Sequence, residues 1–200
     1  MKKVLLATAM TMALGIASGS ALAADVEGGQ INFHGLVSAS TCETTITSSH
    51  GSQTTDADVY QATVAPGDIK GEVSTSEAGA AQEPFSIVVD CTGATGVAEG
   101  TPLSLVMAST FANTKGTLNN DEDTTVNGVA AATNVDIAIH NADNNNTLVP
   151  VDGATAQTTT FGADSKATYN FIASYVKSVG TEEVVPGVVT TNAMYTISYN

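Results

Sequence analysis

The sequence predicts an all-β sandwich, on three observations. Apolar residues recur at every second position in several short runs, the period of a strand with one buried face. Turn signals such as Pro66-Gly67 and Asn127-Gly128 separate those runs. Beyond the first two dozen residues no long helical period is present, and the chain is rich in Thr, Val and Gly and lacks Trp.

The chain opens on a leader. Lys2 and Lys3 give a positive start, Val4 to Ile16 an apolar core, and Ala21-Leu22-Ala23 a small-x-small cleavage site. That is the pattern of a secretory signal peptide spanning residues 1–23. Its apolar run is short and interrupted, and no later stretch approaches the roughly 20 apolar residues of a membrane span. The expected mature chain, residues 24–200, keeps four Lys and no Arg against 20 acidic residues, a formal charge of −16. This balance argues against nucleic acid and anionic membranes as partners, and it fits an acidic extracellular surface. Cys42 and Cys91 are the only cysteines. In an exported chain one pair predicts one disulfide, worth roughly 4 kcal/mol by loop entropy. Two free thiols or an intermolecular bridge are the alternatives.

The first run after the leader is Gly29 to Val37. Gly29, Ile31, Phe33, Gly35 and Val37 share one face; Gln30, Asn32, His34 and Leu36 share the other. A strand is expected over Ile31 to Ser40. Val59 to Val64 is the next candidate, closed by Pro66-Gly67. Residues 70 to 83 are small and polar and read as a surface loop. Strands follow at Phe85 to Asp90, which leads into Cys91, and at Leu103 to Met107. The polar stretch Asn113 to Gly128 ends on a hairpin dipeptide, Asn127-Gly128. Val135 to Ile139 alternates, and Leu148 to Val151 pairs with it across Asp143 to Asn146. In Ala167 to Val179, Tyr169, Phe171, Ala173, Tyr175 and Val179 share a face. In Ala193 to Tyr199, Ala193, Tyr195, Ile197 and Tyr199 are in phase.

No catalytic constellation emerges. His34, His50 and His140 have no His or Cys at metal-ligand spacing. There is no phosphate-cradling loop and no Gly-x-Ser-x-Gly elbow. Asn141 to Asn145 spaces oxygens like a calcium loop, but it lacks the sixth-position Gly and carries Asp152 at the twelfth, so a polar hairpin turn is the expected reading. No metal, cofactor or enzyme activity is expected.

Several segments, in order, carry a family resemblance. Gly29-Gln30-Ile31-Asn32-Phe33-His34-Gly35-Leu36-Val37 followed by Ser40-Thr41-Cys42 is similar to a Gly-x-φ-x-Phe-x-Gly-x-φ run (φ apolar) leading to a first cysteine. Phe85 to Cys91 resembles the strand bearing the second cysteine. Asn134 to Ile139 and the Asp152-Gly153 turn resemble a later hairpin, and Tyr169 to Tyr175 the long strand before the end. Ala193 to Asn200 resembles a terminal chaperone-recognition strand, with its penultimate aromatic, Tyr199, and a glycine fourteenth from the C-terminus, Gly187. The family is that of structural subunits (pilins) of chaperone–usher fimbriae, and within it the chain resembles type 1 fimbrial shaft subunits.

The resemblance implies an incomplete immunoglobulin-like β-sandwich, missing its last strand and completed by a donor strand from a neighbouring subunit. Residues 24–35 would be the donor extension, through Gly29, Ile31, Phe33 and Gly35, and residues 36–200 the pilin domain. Tyr195, Ile197 and Tyr199, with Gly187, would form the terminal strand beside which a periplasmic chaperone pairs. Implied partners are identical or related pilins in a head-to-tail polymer, that chaperone and an outer-membrane usher. The route implied is export through the periplasm to an extracellular fimbrium on a Gram-negative cell. A minor or adaptor pilin and a monomeric secreted binding sandwich are the competing expectations. A tip adhesin would need a second domain for which the chain has no room.

Overall fold

The computed structural model describes residues 42–199. The expected leader, the donor extension and the strand Ile31 to Ser40 lie outside the described residues. Within them the chain forms two packed antiparallel sheets and a small hairpin.

The larger sheet contains β1 (Glu43–Ser48), β2 (Gly51–Thr54), β3 (Ala80–Asp90), β5 (Leu118–Asn119), β8 (Asp136–Asn141) and β11 (Lys166–Val176), in the spatial order β2-β1-β3-β11-β8-β5. A short β9 (Thr147–Leu148) adds to β8. The smaller sheet is β10 (Asp152–Thr160), β4 (Pro102–Ala108) and β12 (Met194–Tyr199), with β4 in the middle. Between β5 and β8, β6 (Thr125–Val126) and β7 (Val129–Ala130) form the hairpin. Its turn is Asn127-Gly128, both at positive φ (51° and 80°), the left-handed conformation that a two-residue hairpin loop requires.

The core lies between the sheets. Leu103, Leu105 and Met107 of β4 face Ile87, Val89, Tyr169, Phe171, Ile137 and Ile139 of the larger sheet. The expected alternation is therefore present in β3, β4 and the first half of β11. β8 departs from it, for all six of its residues are buried. The reason is a second layer. Residues 70–79, part of the stretch 70–83 expected as a surface loop, lie over the outer face of this sheet. Gly79 N–H donates to Ser174 Oγ at 2.8 Å, His140 Nε2–H to the Ser74 carbonyl at 3.0 Å, and Lys177 N–H to the Gly71 carbonyl at 2.8 Å. Ile69, Ala132, Val135 and Val184 make a small second core. Buried Asp136 is held by Asn113 Nδ2 at 2.9 Å, Thr117 Oγ1 at 2.8 Å and Ser178 Oγ, so its carboxylate keeps hydrogen bonds away from water.

Four expectations need correction. The hairpin β1–β2 was not anticipated, because only Ile46 in it is buried and its other residues are mostly Thr, Ser and Gly. β10 was not anticipated either; it is an edge strand exposed on both faces and has no apolar alternation to read. β3 begins at Ala80 and runs through Pro84, which lies beyond the last β1 pairing (Ser48 with Phe85), where the missing N–H costs little. β11 ends at Val176. Its register with β3 shifts between Ala173 and Tyr175, and Val179 is exposed. The fifth difference, at residues 59–64, forms part of the site.

Candidate strand-accepting groove

β12 is the edge of its sheet. Every residue from Met194 to Tyr199 pairs with β4 on one side, and no described strand pairs with it on the other. Such an edge presents a row of unpaired N–H and C=O groups. Facing it is the stretch Ala57 to Val64. The sequence reads Val59 to Val64 as a strand, and alternate residues do turn inward, with Ala57, Val59 and Gln61 half-buried. Yet the stretch is assigned to no strand, and residues 57–64 make no backbone–backbone hydrogen bond with any described residue. It has the sequence of a strand without a neighbour among the described residues.

Between these two edges runs a groove of about 490 Å³ that opens onto the sandwich core. Its apolar lining comes chiefly from Ile46, Phe85, Met107, Ile137, Ile139 and Tyr175. Burial pushes the Tyr175 hydroxyl above its ordinary pKa. The rims carry Tyr60 and Met194, 57% and 58% exposed, which are large apolar side chains left in water. Two buried oxygens in the lining, Gln61 Oε1 and Thr191 Oγ1, have no hydrogen-bond partner. Unmet buried polar atoms cost about 1–3 kcal/mol each, so the groove is short of polar partners as well as of apolar ones.

The terminal strand is tethered from within. Tyr195, Ile197 and Tyr199 point toward the core; Met194, Thr196 and Ser198 point out. Tyr195 hydroxyl lies 2.8 Å from the Thr55 carbonyl and 3.2 Å from Thr44 Oγ1, which links β12 to the far wall. Tyr199 packs edge-on against Phe161 at 5.7 Å, and its hydroxyl lies 3.2 Å from Cys42 Sγ. Cys42 and Cys91 are joined in a disulfide that ties the start of β1 to the end of β3. Upstream, Gly187 lies where residues 185–188 run against residues 130–133. A Cβ there would sit 2.4 Å from Ala132 N and 2.5 Å from Ala130 O. The structure thus gives this glycine a reason, close backbone approach.

Of the residues singled out in the sequence, Tyr195, Ile197 and Tyr199 lie on one face along β12, with the cysteine pair beside its Tyr199 end. Gly29, Ile31, Phe33 and Gly35 lie outside the described residues. Sequence reasoning missed Gln61 and Thr191, because nothing local marks a polar residue as facing a groove. Asp143, the centre of the calcium-like run, spends its carboxylate on Asn170, accepting from its backbone N–H at 3.0 Å and its side-chain amide at 2.9 Å.

A β-sandwich whose described strands leave one edge open over the core is a fold that another strand can complete. The model of the fimbrial protein family matches residues 31–200, and the chain belongs to that family. It is a structural pilin subunit of a fimbria, a fibre on the cell surface, and not an enzyme; its partners are other pilin subunits. No curated protein matches it by sequence. Among solved structures, a chain of a chaperone–usher pilus whose structure concerns rod uncoiling is 20% identical, with a TM-score of 0.51 over 87% of this chain and 96% of that one. The P pilus rod subunit PapA is 16% identical over 73% of this chain and 94% of its own, with a TM-score of 0.49. A Burkholderia pseudomallei antigen and type I fimbria protein is 17% identical over 80% and 99%, with a TM-score of 0.47.

Proposed function

We propose that the chain is a shaft subunit that polymerises by donor-strand exchange, residues 24–35 of one copy entering the groove of the next. The observation that carries this reading is the groove itself, apolar and bounded by two edges that lack ladder partners among the described residues. The same sequence supplies a matching strand, with Gly29, Ile31, Phe33 and Gly35 on one face. Strand addition gives affinity through main-chain bonds and specificity through alternate side chains. Ile31 and Phe33, once buried, would each contribute about 1.5–3 kcal/mol. A strand also brings backbone N–H groups within reach of Gln61 Oε1 and Thr191 Oγ1. The contact joins different faces of successive copies, so it generates an open filament.

Before assembly, a periplasmic chaperone would lend a strand to the same groove beside Tyr195, Ile197 and Tyr199. An outer-membrane usher would then pass the subunit outward. Export through the periplasm, after removal of residues 1–23, supplies the oxidising compartment in which the Cys42–Cys91 bond forms.

The test is an unheated SDS gel of the mature chain beside a version lacking residues 24–35. The intact chain should give a heat-sensitive ladder and the shortened one a single band. Monomer bands for both, with cooperative melting, would overturn the reading. Long fibres from this subunit and its chaperone alone mark a shaft subunit, whereas assemblies that stop at a few copies mark an adaptor.

A further inference from the structure

The two poles of the sandwich differ. At one, β1 begins, β3 ends, β11 begins and β12 ends, which gathers Cys42, Cys91, Lys166 and Tyr199. At the other, β5 ends and β8 begins, so residues 120–135 emerge there, as do residues 177–193 between β11 and β12. The two segments are joined by Asp121 N–H, which donates to the Thr190 carbonyl at 2.9 Å. Six large apolar side chains are exposed among the described residues. Tyr60 and Met194 flank the groove; the other four, Val126, Val129, Val179 and Val185, all belong to these far-pole segments. A singly exposed valine is ordinary, but a collection at one pole marks a contact surface. The β6–β7 hairpin stands out within it. Its strands have two exposed residues each and pair with no other described strand. Such a hairpin is marginal in water by itself. Val126 and Val129 are partners across it, 41% and 50% exposed.

What covers the hairpin follows from where the donor segment joins the domain, and so rests on the donor-strand reading above. In a donating copy, Cys42 comes seven residues after Gly35, at most about 25 Å of extended chain. The Cys42 pole of that copy therefore sits at whichever end of the groove its Gly35 occupies. β12 runs from Met194 at the far pole to Tyr199 at the Cys42 pole. A donor parallel to β12 would bring a second Cys42 pole against the pole from which the accepting copy sends out its own donor. Each copy would then crowd two neighbours onto one pole and have none at the other. A donor antiparallel to β12 carries Gly35 to the far pole, gives each pole one neighbour, and makes the slightly more stable ladder. Charge does not draw these surfaces together, since Asp121, Glu122 and Asp123 lie on one pole and Glu99 and Asp164 on the other. The contact must be apolar. At the Cys42 pole, the connection from β3 to β4 offers a run of small and apolar residues, Thr92 to Ala98, on which a hairpin can lie closely.

We propose that the β6–β7 hairpin, through Val126 and Val129, is a docking surface for a second copy of this chain, receiving residues 92–101 at the Cys42 pole of the copy that fills the groove. The donor strand holds the two copies together. The hairpin contact fixes the angle between their bodies, and with it the stiffness of the fibre.

Fibres of the full-length chain carrying a photo-crosslinking phenylalanine (p-benzoylphenylalanine) at position 129 are irradiated and digested, and the crosslinked peptides are identified by mass spectrometry. Peptides joining residue 129 to residues 92–101 of a second copy are expected, and they should be lost when the fibres are dissociated before irradiation. Separately, Val126→Asp with Val129→Asp changes only exposed side chains and leaves the donor strand untouched. Its heat-sensitive ladder on an unheated gel should match the parent's, while the persistence length of its fibres in electron micrographs should fall well below the parent's. Crosslinks confined to one copy, or reaching β10 or another lateral face, overturn the proposal, the latter by making the hairpin a contact between fibres. A double variant with the parent's persistence length overturns it too. A parent chain that gives no ladder overturns the donor-strand reading and this contact with it, whereas a normal ladder without the crosslink overturns this contact alone.

Discussion

Replacing Gly187 by Ala tests how the groove's far end is held in place. Residues 185–188 and 130–133 are joined by Val188 N–H to the Ala130 carbonyl at 3.0 Å and Ala132 N–H to the Val188 carbonyl at 2.8 Å. Asn120 Nδ2 bonds the Ala132 and Val188 carbonyls at 2.7 and 3.1 Å, and Asn120 Oδ1 accepts from Thr190 N–H at 2.7 Å. The atoms that a new Cβ would meet at 2.4–2.5 Å all belong to backbone, so no side chain can swing aside. The two segments must separate instead. Losing both backbone bonds costs about 1–3 kcal/mol, and overpacking of this kind costs about 1–3 kcal/mol by itself. Both figures describe one displacement and are not summed, so the expected loss is about 1–3 kcal/mol. Urea unfolding followed by circular dichroism should show a lower midpoint with an unchanged slope. Because Val189, Thr190 and Thr191 line the groove just downstream, strand capture should weaken as well. A variant within about 0.5 kcal/mol of the parent would refute the close-approach argument.

Three further outcomes are expected. Tyr195→Phe keeps the ring but removes the bonds to Thr44 and Thr55, so it should lower stability by about 1–2 kcal/mol, measured by denaturant melting. Replacing Cys42 and Cys91 together by Ser opens a loop of 49 residues and should cost roughly 4 kcal/mol on the loop-entropy model, with the non-reducing gel shift of the parent lost. Alkali should also unfold the chain. The folded Tyr169 holds its proton up to about pH 12, while in the unfolded chain it ionises near 10. Its stabilisation is complete below pH 10 and is lost as pH rises toward 12. Tyr169→Phe should flatten that part of the pH–stability curve, and a curve of unchanged steepness would remove Tyr169 from the account.

The sequence by itself settled the elements whose physics is local. β4, β8, β11 and β12 announce themselves through apolar residues on a period of two, and Asn127-Gly128 through the left-handed φ that its turn demands. A chain with a single pair of cysteines left few ways to bond. What the sequence could not carry were features defined by a partner in space. β10 and the β1–β2 hairpin bury little, so their strands depend on neighbours for hydrogen bonds and leave no pattern of their own. Residues 59–64 show the converse, a strand pattern with no described strand to pair with. Only the fold puts that stretch opposite the free edge of β12, with Phe85, Ile137 and Tyr175 between them and Gln61 and Thr191 unbonded at the lining. Alternation along a chain records which side chains face inward. Whether the backbone beside them is paired depends on the next strand over, which in this chain is often distant in sequence, as β11 is from β3.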